Sequence, residues 1–319
     1  MRTVIRTACV AIAAGAVAVA PIAPATTATA TGATGAQNCG TPVTYGYYRQ
    51  WRDVATTKPE DREPNVQRLS EVPPEIDIVS VFATKPADDP DFWVALRDTY
   101  LPALHAQGTK AVFTLWIDDF AKAPVADTAA AYDAYAQQLY DEYIVNWGVD
   151  GLDVDVESTP SGTALTRAAG ILNALGKRIG PKSGSGKLFI YDTNMTGTHP
   201  VFTRTSSSYD YVMLQAYGRG AQTLQSTWQT FASRISSCQF LPGVSFYEER
   251  GAHWGDTLDP FETSRAASYA RWQPTGGEKG GVFAYAIDRD GKQPGDDTIS
   301  TTDYSWMKRL DALAKSVDQ

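Results

Sequence analysis

Asp150-Gly-Leu-Asp-Val-Asp-Val-Glu157 is the stretch whose reading decides the fold. Leu152, Val154 and Val156 alternate with Asp153, Asp155 and Glu157, and a period of two is that of a β-strand. One face is aliphatic; the other is a column of three carboxyl groups. Same-face side chains in a strand stand roughly 6.5–7 Å apart, so the three acids repel one another when ionised. Burial adds to that cost, and at least one of them should keep its proton near neutral pH. A strand that turns charge inward forgoes stability there, and such places usually mark chemistry. A solvated edge strand would leave the aliphatic face uncovered. A hard-cation site would want more oxygen ligands, and no histidine or further acidic cluster stands in register.

Outward from this strand the same rhythm repeats from Gly40 onward: an apolar, β-branched or aromatic run, then a polar or helix-favouring stretch. The spacing predicts strands at 43–48, 76–82, 110–117, 151–156, 188–192, 211–217, 243–246 and 281–287. Helical periodicity is clearest at 91–106 and 127–147, and continues at 165–179, 222–235, 262–272 and 304–317. The segments after the first and fifth strands are short or contain proline. Strands alternating with long crossovers predict a parallel sheet. Eight such units over residues 37–319 match a single-domain α/β fold, the (β/α)8 TIM barrel. Chemistry in that fold sits at the C-terminal strand ends, and Glu157 stands just past the end of the fourth. An open doubly wound sheet would place a glycine-rich phosphate turn after its first strand; here that strand runs into Tyr47, Tyr48 and Trp51.

Other strand ends point the same way. The third carries Thr114 and Trp116, the fifth Tyr191-Asp-Thr-Asn194, the sixth Gln215-Ala-Tyr217-Gly-Arg219, the seventh Tyr247-Glu248 and the eighth Tyr285. Aromatic faces stack on the C–H surfaces of pyranose rings while amides bond hydroxyls, so one rim gathers what a sugar site needs. Any single tyrosine there could equally be core; the collection carries the signal. His253 and Trp254, after the seventh strand, are open between substrate contact and packing. Asp288-Arg-Asp290-Gly is part of a calcium loop, but the following Lys-Gln-Pro-Gly breaks the ligand spacing and makes it a turn. Asn194-Met-Thr196 is a glycosylation acceptor sequence whose place at the rim argues against modification.

The N-terminal residues read differently. Arg2 and Arg6 precede an apolar run from Ala8 to Ile22, interrupted by Gly15 and Pro21, and then small residues. Residues 1–36 are therefore expected to be a secretory signal peptide and linker. The formal net charge is −8, and losing those two arginines takes it to −10. An acidic domain has no electrostatic footprint for nucleic acid or an anionic membrane. Beyond Cys9 the cysteines are Cys39 and Cys238, which could pair in an oxidising compartment or remain two thiols.

The stretch from Asp150 to Glu157 resembles the D-G-x-D-x-D-x-E signature of the family 18 glycoside hydrolases, with all four acids and the glycine in place. The start Gly46-Tyr-Tyr-x-x-Trp51, the ending Gln215-x-Tyr217 and the run Gly280-Gly-Val-Phe-Ala-Tyr285 are similar to that family's first, sixth and eighth strands. Where chitinases of the family carry S-x-G-G, this chain reads Phe113-Thr-Leu-Trp116, and Tyr285 replaces their eighth-strand tryptophan. These departures, and the lack of an inserted subdomain between strands seven and eight, make it look like the bacterial endo-β-N-acetylglucosaminidases. The resemblance implies a secreted, monomeric glycosidase acting on an N-glycan or glycoprotein, with no cofactor or metal and no nucleic-acid or membrane partner. It implies Glu157 as acid, Asp155 as the group orienting the 2-acetamido group, and Tyr217 as a donor to that group. Asp153, held by Thr114 and Tyr47, would share a proton with Asp155; Gln215, Trp116, Asn194 and Tyr285 would bind substrate. A chitinase, or a glycan-binding protein of the same fold, are the alternatives.

Overall fold

The structure, a computed structural model, describes residues 39–57, 59 and 63–316; the expected signal segment lies outside them. The strands are β1 Val43–Arg49, β2 Ile78–Phe82, β3 Lys110–Trp116, β4 Gly151–Val156, β5 Leu188–Thr193, β6 Tyr211–Gln215, β7 Phe240–Ser245 and β8 Gly281–Tyr285. Each pairs in parallel with the next, and β8 returns to β1, closing a (β/α)8 barrel.

The helices are α1 Pro90–Ala95, α2 Leu101–Ala106, α3 Ile117–Ala121, α4 Ala129–Leu139, α5 Gly162–Leu175, α6 Pro200–Thr205, α7 Leu224–Phe231, α8 Arg265–Arg271 and α9 Ser305–Ser316. The helix expected over 91–106 is interrupted by a π turn, Leu96–Tyr100. Pro102 follows it, and a proline cannot donate the backbone bond that a regular turn requires. The helix expected over 127–147 likewise ends in a π turn, Tyr140–Asn146. Five-residue α3 is too short to show a period. Strand β7 starts at Phe240, three residues before the expected position, and Phe240 packs on Trp228 and Phe231. Strands β6 and β8 end two residues early, and Ala286, with φ of 58°, turns the chain away after Tyr285.

The alternation read in β4 divides the core in two. Leu152, Val154 and Val156 point outward under the helices, where Trp93 meets Phe113 edge-on at 4.8 Å. The barrel interior is a separate cluster that includes Tyr45, Ile78, Val112, Ile190, Met213 and Phe283. Each fully buried aliphatic or aromatic side chain contributes about 1.5–3 kcal/mol relative to an exposed one. Gly243 is required there: a Cβ on it would stand 2.1 Å from the Phe283 ring. Cys39 and Cys238 are joined, with Cα atoms 5.1 Å apart, tying the lead-in to β1 to the turn before β7. Near the C-terminal ends of β1, β7 and β8, buried Arg49 donates to Asp288 (2.6 Å) and Glu249 (2.9 Å), and Arg289 also meets Glu249. No helix among the described residues is long and apolar enough to cross a membrane.

Candidate active site

Inward parity carries the carboxyl column up the barrel axis. Asp153 is fully buried, Asp155 is 3 % exposed, and Glu157, one residue past β4, stands exposed at the mouth. Asp153 Oδ2 accepts from the Tyr47 hydroxyl (2.6 Å) and the Thr114 hydroxyl (3.0 Å), the two contacts expected for it. Ser80 bonds Thr114 from β2.

The cleft above, about 580 Å³, is lined by Tyr47, Trp116, Asp155, Glu157, Asn194, Gln215, Tyr217 and Tyr285, all expected from sequence. Asp153 and Thr114 lie beneath it rather than on its wall. Sequence reasoning missed Asp192, Phe82, Arg219 and Glu248 as lining residues. Trp254, left open, lines the cleft, whereas His253 packs on the Tyr247 ring at 4.9 Å.

Asp192 is the most consequential omission. It is 2 % exposed and is the register partner of Asp155 across β4 and β5. The Gln215 amide donates to both, at 3.1 Å to Asp155 Oδ1 and 2.8 Å to Asp192 Oδ2. The second oxygens of Asp192 and Asp153 are buried with no hydrogen-bond partner. A signal for Asp192 was present: Leu188 and Ile190 face the barrel interior, so the same parity reaches Asp192 and then Asn194.

Three carboxyl groups thus share one water-poor space. Burial pushes Asp153 up to about 7 against its bonds from Tyr47 and Thr114. Burial, then the charges of Asp192, Glu157 and Asp153, hold Asp155 well above the ordinary carboxyl range. Burial and Asp153 do the same to Asp192, opposed by Gln215. They cannot all be ionised, so the cluster stores protons. Burial and the neighbouring carboxylates raise the Tyr217 and Tyr47 hydroxyls far above neutrality, so both remain donors. Burial and Glu248 act likewise on Tyr285.

The walls are aromatic. Tyr217 stacks on Tyr285, centroids 6.2 Å apart, and Trp116 leans on Phe82 at 5.2 Å. Gly218 has φ of 70°, and a Cβ there would press on Trp254 at 3.1 Å, so glycine lets that ring lie over the end of β6. Buried Asp256 accepts from the Gly218 and Ser245 amides and fixes this loop. Arg219 donates to the Asn194 carbonyl at 2.6 Å. Asp288 is spent on Arg49, and Asp290 accepts from the Trp306 and Met307 amides, so both acids of the discounted calcium loop are structural. Among the described residues no group of three or more His, Cys, Asp or Glu is disposed to hold a metal ion. The arrangement supplies an exposed acid above a buried proton store, hydroxyl and amide donors, and ring faces for a sugar.

Comparison with known proteins gives a consistent picture. The sequence profile of the endo-β-N-acetylglucosaminidase EndoS TIM-barrel domain matches residues 46–284. The chain is 40% identical over 280 residues to endo-β-N-acetylglucosaminidase F2 of Elizabethkingia meningoseptica, covering 86% of this chain and 82% of that protein. It is 43% identical to the crystal structure of the Cordyceps militaris endo-β-N-acetylglucosaminidase, with a TM-score of 0.81 over 86% of this chain and 91% of that one. A mutant of that fungal enzyme has been solved in complex with fucosyl-N-acetylglucosamine-Asn. A chitinase of glycoside hydrolase family 18 from Pseudoalteromonas aurantia shares the fold, at 14% identity and a TM-score of 0.56 over 85% of this chain and 99% of that one.

Proposed function

The chain belongs to the endo-β-N-acetylglucosaminidases of glycoside hydrolase family 18, and from that premise we propose that it is secreted and cuts the GlcNAc-β-1,4-GlcNAc core of N-linked glycans with the help of the substrate's own acetamido group. The observation that carries this reading is the division of labour in the β4 column. Glu157 alone is exposed, while Asp155 is buried and bonded to Gln215. A carboxyl held that way orients and stabilises; it does not supply a free nucleophile.

In this reading Glu157 passes its proton to the glycosidic oxygen and the C1–O4 bond breaks. The acetamido oxygen forms the new bond to C1, giving an oxazolinium ion. Asp155 accepts from the acetamido N–H and balances the developing positive charge. Asp153 and Asp192 take up or return the proton that Asp155 exchanges, and the Tyr217 hydroxyl donates to the acetamido oxygen. Glu157 then draws a proton from water, whose oxygen opens the ring with retained configuration. Trp116, Asn194 and Tyr285 would line the bound sugar.

Secretion is supported by the charged start and apolar run of residues 1–36 and by the Cys39–Cys238 bridge. The fungal relative's complex with fucosyl-N-acetylglucosamine-Asn supports a leaving group of that kind, and the mature domain would be residues 37–319. Replacing the 2-acetamido group of the cleaved sugar by a hydroxyl tests the mechanism. The expected result is no reaction; turnover at a comparable rate would assign the attack to a protein side chain.

A further inference from the structure

The cleft over the barrel is continuous with a second one of about 530 Å³, and the two share Trp116, Asp155 and Glu157. Their walls differ in kind. The first presents the rings of Tyr47, Phe82, Tyr217, Trp254 and Tyr285. The second, beyond Trp116, presents Lys85, Asp118, Asp119, Lys122, Tyr135 and Ser158. Lys85 Nζ meets Asp119 Oδ1 at 2.6 Å, and Asp119 Oδ2 accepts from the Trp116 amide at 3.0 Å. The boundary tryptophan and the charged wall are thereby one unit. Lys122 pairs with Asp118 at 2.8 Å, both largely in solvent.

Glu157 sits where the lobes meet, and an acid must stand beside the oxygen it protonates. The acetamido-orienting groups Asp155, Gln215 and Tyr217 place the retained sugar in the first lobe, so whatever departs lies in the second. We propose that this second lobe is the leaving-group site and that it is built to hold polypeptide rather than further sugar. A chain that bore sugar on both sides of the cut would favour ring faces on both sides. Lysine–aspartate pairs at a half-open wall instead suit peptide amides and charged side chains, at the modest strength of solvent-exposed pairs. The enzyme therefore reads the residues flanking the glycosylated asparagine, and Lys85, Lys122 and Tyr135 set that preference.

The proposal rests on the function given above, and one experiment separates the two. The wild type and the variants Lys85→Ala, Lys122→Ala and Tyr135→Ala are assayed on two substrates bearing the same glycan, a glycopeptide and the free oligosaccharide ending in GlcNAc-GlcNAc. The readout is the ratio of kcat/KM on the peptide to that on the oligosaccharide, in which the concentration of folded enzyme cancels. The expected result is a five- to tenfold fall in this ratio, about 1–1.4 kcal/mol, for at least two variants. A ratio equal to that of the wild type in all three overturns the proposal, and Lys122, about three-quarters exposed, cannot fail through misfolding. A wild type that cuts chitin oligomers as fast as the glycopeptide also overturns it. A wild type that releases glycan from neither substrate overturns the underlying reading as well.

Discussion

Asp155 on β4 and Asp192 on β5 face each other as register partners, and one amide group, that of Gln215, donates to both. The bridge fixes the two carboxyls side by side with Asp153 in the same buried cluster. Such a cluster costs the fold free energy, and its retention is understandable only if the reaction uses the stored proton.

Replacing Asp192 by Asn removes one buried ionisable group while keeping an acceptor for Gln215. Activity on a glycoprotein should fall about 10- to 100-fold, within the range of positioned acid–base groups, while the melting temperature stays level or rises. Thermal melts beside initial rates check both halves. Full activity would remove Asp192 from the proton store.

Asp155→Asn keeps the shape of the floor and loses the charge that orients the acetamido group. Hydrolysis of a glycoprotein should slow by roughly 10²–10³, a loss typical of a single preorganised electrostatic group. A preformed sugar oxazoline should still be consumed as a donor, because the step that needs Asp155 has already taken place. A variant without a defect on glycoprotein would end that assignment.

Stability should depend on pH through the same cluster. Burial raises Asp153 to about 7, above its value in an unfolded chain. Its contribution to stability is therefore complete below about pH 4 and is lost as pH rises through about 7. Between pH 5 and pH 8 the wild-type melting temperature should fall, and the fall should be smaller in Asp153→Asn. A pH series of melts on both proteins decides this, and parallel curves would contradict it.

Arg49 is buried between Asp288 and Glu249, and its charge lowers Glu249 to about 2 against the cost of burial. Arg49→Met strands carboxylates in the wall behind Glu248. A loss of about 3–5 kcal/mol is expected for breaking a buried pair from one side, or roughly 10 °C in melting temperature for a domain of this size. A shift within 2 °C in calorimetry would show the network to be dispensable.

The barrel was legible because period-two alternation in β4 and seven similar runs each implied a strand, and parallel strands demand crossovers. The carboxyl column and most of the rim followed from the same parity. Asp192 escaped because a lone aspartate in Leu-Phe-Ile-Tyr-Asp-Thr looks like the end of a strand; its partner, Asp155, lies 37 residues away and only β4–β5 register brings them together. The interrupted helices escaped for another reason. A π turn keeps nearly the helical spacing of apolar residues, so Leu96–Tyr100 and Tyr140–Asn146 leave the pattern intact. Trp254 depends on a loop whose path is set by Asp256 and Gly218, contacts that no local pattern encodes.

The central claim is that Glu157 protonates the bond between the two core GlcNAc residues of an N-glycan. Intact-mass measurement of a glycoprotein after incubation with the wild type and with Glu157→Gln tests it most directly. The account predicts that the wild type leaves a single GlcNAc on each processed asparagine, while the variant leaves the glycan whole at a rate lower by at least about 10³, with glycan binding retained. A wild type that trims outer sugars or frees the asparagine completely, or a Glu157→Gln protein that works at near-normal rate, would contradict it.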